Sequence, residues 1–349
     1  MTSAVIVAPA ADVHAQSVCA ELRTLSVEPR ILDVDEFTVS YDLNAAVGTG
    51  SAARLELQFR DSGARLVSEE ISGLWWRRPA MPLDAFRTDR SHGVMNIARA
   101  ERRSALLGAL TGLIGNAFND QGRSRQAALK PAQLVRATLL GLQVPQTLVS
   151  NDPAAVRAFH ERTNGRTVYK MFNGSPFGLY GTRSLEPADL ENLERLQAGP
   201  AIFQERVDGD FDVRATVVGD EVFAAKLAHD RDEEVVDTRF LPARITPHPL
   251  PAELARTLVR YVREAGLVYS AIDLRYSPDR GYVFFEANPE GQFLWIEQET
   301  GLPISRAIAG RLAAGPPTGQ PAAGQPAAGP TGQPAAGSPS GQPSTQSPQ

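Results

Sequence analysis

Cysteine is nearly missing from this sequence of 349 residues: Cys19 is the only one. An intramolecular disulfide and a cysteine-based metal site are therefore excluded. Cys19 falls in a predicted helix, where a small core residue is expected rather than a nucleophile. Histidine is scarce too, and the five present show no metal-ligand spacing. His160, His229 and His248 are expected at the surface. Positive charge is not in excess, since 35 Lys and Arg face 40 Asp and Glu for a formal net charge of -5. That balance argues against a nucleic-acid binder working through bulk charge. No apolar run approaches a membrane span. The start, MTSAVIVAPAADVH, has no basic segment and too short an apolar run for a signal peptide, so a cytoplasmic protein without a membrane partner is expected. From Gly315 onward the chain lacks charge and large apolar side chains altogether. Such a Gly/Pro/Gln/Ala tail cannot bury enough surface to offset ordering entropy, and disorder is expected for 315–349. With no hydrophobic face, it is no solenoid either.

What remains is ordinary globular material, 42% hydrophobic and 21% charged, long enough for two or three domains. Ala4–Ala8, a helix near Asp12–Leu25 and Pro29–Val34 form a β–α–β opening, which suggests an α/β domain with parallel pairing. The G-x-G-x-x-G fingerprint is missing, so no dinucleotide site is assigned. Arg54–Phe59 and Ala64–Ser68 flank Asp61-Ser62-Gly63 as a hairpin. In Ile71–Pro79 the adjacent Trp75 and Trp76 point to opposite faces. Large aromatics mostly pack, so a structural role is expected, while Arg77 and Arg78 either hold an anionic group or cap the sheet end. Asn96–Gly115 reads as a helix whose Arg99, Arg102 and Arg103 form a solvated face. A helix begins after Lys130, with Pro131 at its first position and Gly141 past its end. The strand Val144–Val149, the helix Asp152–Arg162, the strand Arg166–Phe172, the glycine-containing loop Asn173–Leu179, a helical Pro187–Leu196 and the strand Ala201–Val207 follow. Phe211–Leu227 is a hairpin turning at Gly219-Asp220, Asp230–Arg244 reads as loop, Pro251–Ala265 as a helix, and Leu302–Leu312 as the last helix.

Tyr269–Glu299 carries the most chemistry. Ser270–Tyr276 and Tyr282–Asn288 read as strands around Pro278–Gly281. With Ser277 opposite Tyr282, Asp273 lies opposite Glu286, and Asn288 follows on the same face. Ile272, Leu274, Tyr276, Val283, Phe285 and Ala287 make the apolar side. Opposed carboxylates repel, and a hard cation such as Mg2+ with oxygen ligands removes the conflict. The competing reading is a wet strand face. Phe284 and Trp295 make the neighbourhood too apolar for that, and Arg275 shares the face with Asp273.

A lysine, a second lysine, a polar strand and a carboxylate–carboxylate–asparagine set follow one another in that order, and this order resembles the ATP-grasp fold. The resemblance implies that Lys130 and Lys170 hold ATP phosphates. It implies that the Gln204, Glu205 and Val207 backbone reads adenine, that Asp212 binds ribose, and that Arg214 points toward the phosphates. Asp273, Glu286 and Asn288 would bind Mg2+. LWWRRP, LKPAQL, VPQTLVSNDP, YKMF, FQERVDGDFDVR and EANPEGQFLWIE, spread over Leu74 to Leu312, are similar to the microviridin-type ribosomal-peptide ligases, the graspetide synthetases. That family joins Asp or Glu side chains of a precursor peptide (leader and core) to Ser or Thr hydroxyls or Lys amines through an acyl phosphate. Relatives commonly show Asp-Trp-Arg where this chain has Asp237-Thr238-Arg239, and Arg239 is a candidate for contacting that acyl phosphate. With the cofactors ATP and Mg2+, the implied catalytic set is Arg214, Arg239 and Lys170. The implied architecture is an α/β (α+β) ATP-grasp protein: an N-terminal domain over 1–125, a lid subdomain over 126–200 and a metal-bearing subdomain over 201–314. Asn173–Gly178 would close over the phosphates, and a homodimer is possible. Ligation of free amino acids and nucleotide binding without turnover are the competing readings. Alanine at Asp273, Glu286 or Asn288 is expected to abolish turnover in a folded protein.

Overall fold

The computed structural model describes residues 2–33, 41–49, 51–77, 90–172, 181–229 and 242–315. Arg78, the loop Asn173–Gly178, Arg239 and residues 316–349 lie outside these, as does the side chain of Arg99.

The first sheet is parallel, with order β2 (Glu28–Leu32), β1 (Ser3–Val7), β6 (Ile71–Trp76) and β7 (Ala117–Phe118). The AVIV run is apolar throughout because both faces are covered. Ala4 and Ile6 face α1 (Val13–Thr24) and α9 (Ile304–Ala313), while Val5 and Val7 join the core beneath α2 (Arg90–Leu113). Trp75 and Trp76 split in the same way, each 1% exposed, so both pack as expected. Gly73 is required at this contact, since a Cβ there would lie 2.6 Å from the Leu312 carbonyl oxygen of α9. The hairpin at Asp61-Ser62-Gly63 forms as β4 (Ser51–Phe59) and β5 (Arg65–Val67), and β3 (Tyr41–Gly48), not expected from the sequence, joins its other edge.

Cys19 lies in α1 and is 4% exposed. Burial pushes its thiol up to about 11; nearby Arg23 opposes the shift and Glu28 adds to it. Folding therefore favours the neutral thiol. That contribution is complete below the ordinary value of 9.0 and is lost as pH rises toward about 11. At pH 8 an aromatic disulfide reagent is expected to leave the native protein unmodified over minutes and to titrate one thiol after denaturation.

A second sheet is antiparallel, ordered β10 (Arg183–Ser184), β9 (Thr167–Lys170), β11 (Ala201–Glu205) and β8 (Thr147–Ser150). It has its own small core of Val156, Phe159, Leu185, Leu193 and Phe203. Val156 and Phe159 come from α5 (Pro153–Arg162), which Asp152 caps by accepting from the Ala154 amide at 2.9 Å. The expected helix Pro187–Leu196 is shorter, α6 (Pro187–Glu191), and continues as a 3-10 turn over Leu193–Ala198.

The third sheet carries the candidate site. Its order is β14 (Ala243–Pro247), β13 (Glu221–His229), β12 (Phe211–Val218), β15 (Tyr269–Ser277) and β16 (Gly281–Asn288), antiparallel throughout. β14 corrects the loop expected up to Arg244. It pairs with β13 only through tertiary assembly, and its ARITP sequence is too short to show a period. One face packs Val213, Ala215, Ile272, Leu274 and Phe284 against Leu258, Tyr261 and Val262 of α7 (Ala252–Glu264). Alternation then sends Asp212, Arg214, Asp273 and Arg275 to the opposite face, and a bulge in β16 brings Glu286 there too. Among the described residues, no helix is long and apolar enough to cross a membrane.

Candidate active site

Asp273 pairs with Glu286 and Ala271 with Asn288, as the sequence suggests, but by a different path. Ser277 pairs with Gly281 rather than Tyr282, so the turn is one residue tighter, and the register then slips between Asp273 and Leu274. That bulge restores the carboxylate pair. It also exchanges two aromatics. Phe284 is fully buried in the core beside Tyr261, while Phe285 turns to the charged face and lies 5.3 Å from the Arg275 guanidinium. The expected apolar side is corrected accordingly, with Tyr282 and Phe284 replacing Val283 and Phe285.

Each carboxylate on this face meets a cation. Lys130 Nζ, at the start of α4 (Lys130–Leu139), donates to Glu286 Oε2 at 2.7 Å. Arg214 Nη1 donates to Asp273 Oδ1 at 2.5 Å, across paired strand positions. Arg275 grips Asp212 with two bonds of 2.6 and 3.1 Å and reaches the Val207 carbonyl at 3.1 Å. Arg214 also lies 6.0 Å from the Trp295 ring of α8 (Leu294–Thr300). Burial works against its charge, but Asp273 first, then Tyr269 and Glu286, outweigh it and hold the guanidinium above its ordinary value. His229 is not a surface residue as expected: its ring is 2% exposed and Nε2 lies 3.6 Å from Asp212 Oδ2. His248 is half-buried and bonded to the Tyr282 hydroxyl at 2.8 Å.

The expected adenine strand is β11 and the turn after it. Gln204 is buried and donates to Thr147 Oγ1 at 3.0 Å. Glu205 pairs with Arg280, which also donates to the Val144 carbonyl at 2.8 Å. Lys170 sits on the neighbouring β9, opposite Ile202. Asp212 is engaged by Arg275 and His229, so a ribose would have to share it. The turn lies tight on β15: the Asp210 amide donates to the Tyr276 carbonyl, and a Cβ on Gly209 would fall 2.3 Å from that oxygen.

Asp273 and Glu286 fit a hard divalent cation. They face each other, offer oxygen only, and are already held by positive charge. Asn288, which is exposed and accepts from the Glu290 amide at 2.9 Å, adds an amide oxygen two residues from Glu286. Among the described residues no three His, Cys, Asp or Glu side chains form a metal cluster, so this set depends on the asparagine and on ligands from outside the chain.

Four residues of this frame escape reading from the sequence. Arg275 and Arg280 bridge segments 60 or more positions apart. Gln133 bonds the β16 backbone, and Asn119 joins the Tyr269 and Pro289 carbonyls at 2.8 and 2.7 Å and accepts the Val268 and Tyr269 amides. Gln133 shows one sequence signal, a polar residue inside an apolar helical pattern, while Arg280 lies in a turn and Asn119 after a strand end.

No protein-family model and no curated protein matches the chain. Solved structures do. The macrocyclase MdnC bound with the precursor peptide MdnA from Microcystis aeruginosa is 28% identical over 89% of this chain and 99% of its own, with a TM-score of 0.75. The ATP-grasp ligase PsnB complexed with a minimal precursor variant, Mg and ADP is 28% identical over 90% of this chain and 98% of its own, at 0.72. A ribosomal-peptide-associated ATP-grasp ligase of Chryseobacterium gregarium, in complex with ADP and leader and core peptides, shares the fold at 24% identity and 0.77, over 89% of this chain and 96% of its own. The α/β architecture, the charged sheet face and these likenesses agree: the chain is an ATP-grasp ligase, similar to the ligases of ribosomal-peptide biosynthesis, the graspetide synthetases.

Proposed function

We propose that this enzyme activates Asp or Glu side chains of a ribosomal precursor peptide with ATP and joins them to Ser or Thr hydroxyls or Lys amines. The observation that carries this reading is the pair Asp273–Glu286, flanked by Arg214 and Lys130 on one sheet face. Mg2+ held by Asp273, Glu286 and Asn288 would supply charge neutralisation for the triphosphate. Lys130, Lys170 and Arg214, with Arg239, offset the repulsion between a carboxylate and phosphate oxygens. Once the phosphates accept from Lys130 and Arg214, the two acids are released to the metal. The Glu205 carbonyl and the Val207 amide read adenine, with Gln204 beneath them, and Asp212 shares the ribose with Arg275. Asn173–Gly178 is assigned to water exclusion. The subdivision into 1–125, 126–200 and 201–314, the cytoplasmic location, a homodimer and the absence of nucleic-acid or membrane partners belong to the same reading.

The test uses the purified protein with ATP, Mg2+ and a Thr/Glu-rich precursor encoded beside its gene. Intact-mass spectrometry is expected to show loss of one water per cross-link, dependent on ATP. Gain of a free amino acid by the peptide, or ATP binding with no change in any acceptor, would overturn the reading.

A further inference from the structure

The side chain of Gln133 is 3% exposed, in the second half of the first turn-and-a-half of α4. Its amide is used completely. Nε2 donates to the Ala127 carbonyl at 2.8 Å and to the Ala287 carbonyl at 2.7 Å, and Oε1 accepts the Ala287 amide at 3.1 Å. Ala287 is the residue between Glu286 and Asn288. β16 is the edge strand of its sheet, so its outward backbone groups have no neighbouring strand to fix them. Gln133 supplies at Ala287 the donor and acceptor that another strand would have supplied. Further along the same edge the Phe284 amide donates to the Gln143 carbonyl at 2.8 Å.

This edge needs fixing because of the bulge. β15 and β16 slip by one residue between Asp273 and Leu274, directly beside the pair Asp273–Glu286. A further slip of one residue would turn Glu286 to the opposite face. Gln133 sits one turn after Lys130, whose ammonium holds Glu286. One helix thus sets both the backbone between the two ligands and the charge beside one of them.

We infer that Gln133 is a positioning residue for the metal site: its carboxamide clamps Ala287 and thereby sets the spacing of Glu286 and Asn288. This rests on the metal assignment proposed above. Gln133 touches neither metal nor nucleotide, and acts through the strand.

The test is Mn2+ binding to the full-length protein in the presence of ATP, followed by electron paramagnetic resonance of the free ion, with the KM for MgATP alongside. Gln133→Met keeps the volume and removes all three bonds. It is expected to weaken Mn2+ binding about tenfold or more, matching the 10–100-fold cost of losing a group that orients a ligand. The KM for MgATP should rise by more than kcat falls. Gln133→Glu retains an acceptor for the Ala287 amide but turns its other oxygen on two carbonyls, and the same loss is expected. Glu286→Gln serves as the reference. If it weakens Mn2+ binding while both Gln133 variants bind normally, the positioning role is overturned and the metal site stands. If Glu286→Gln itself binds Mn2+ normally, the metal site is overturned. Should neither Gln133 variant fold, hydrogen exchange of the native protein decides. An Ala287 amide protected as well as those of β15 supports the clamp, and one exchanging like an open edge overturns it.

Discussion

Glu286→Gln is expected to cut ATP-dependent turnover by at least about 100-fold, the scale of losing one preorganised charge partner, and to leave the fold nearly untouched. Glu286 and Lys130 are each about one-quarter exposed (24% and 26%). A pair that wet is worth at most about 1 kcal/mol, so the melting temperature should move by only a few degrees. Activity and thermal melting of the same preparation check both halves. Asp273→Ala is different. Its partner Arg214 is 14% exposed and would lose its nearest counter-charge, keeping the more distant Glu286. Removing one member of a fully buried pair costs about 3–5 kcal/mol, and residual exposure lowers that here to about 1–3. The three alanine variants expected from the sequence to be folded and inactive therefore divide, with Glu286→Ala and Asn288→Ala clean and Asp273→Ala both inactive and less stable.

Arg275→Met is expected to carry the largest stability cost of any single change on the charged face. Arg275 and Asp212 are 12% and 14% exposed, and the methionine removes both guanidinium bonds from Asp212. A loss of about 2–4 kcal/mol follows from stranding a mostly buried carboxylate. The Val207 carbonyl loses its guanidinium at the same time, so the proposed adenine strand loosens from β15. The KM for ATP should rise about tenfold, from a contact worth about 1.4 kcal/mol, even at temperatures where the variant is fully folded. Denaturant unfolding with ATP titration separates the two effects. An unchanged KM in a folded variant would remove Arg275 from nucleotide binding.

Local chemistry made much of this fold legible. The AVIV run, the hairpins at Asp61-Ser62-Gly63 and Gly219-Asp220, and the Asp152 cap before Pro153 all form where turn and capping residues demand them. The facing of Asp273 and Glu286 was legible because both strands alternate. The path between them was not, since a tighter turn and a bulge cancel and leave the same pair. That cancellation explains why Phe284 and Phe285 exchange faces while the acids stay opposed. β14 was hidden because a short strand with no period is made by its neighbours, and β3 because only its Tyr41–Asn44 half alternates. The partners of the acids were hidden for a related reason. Arg275 to Asp212, Arg280 to Glu205 and Lys130 to Glu286 join residues far apart in sequence, and charge type alone does not choose among many arginines. His229 reads as a surface residue by composition and is buried because β13 carries it under the same charged face.

The most direct test of the metal assignment is anomalous scattering from crystals grown with Mn2+ and a non-hydrolysable ATP analogue. A manganese peak about 2.0–2.3 Å from oxygens of Asp273 and Glu286, with Lys130 and Arg214 turned to the phosphates, is expected. A nucleotide bound with no metal at these side chains, and with both ion pairs intact, would contradict it.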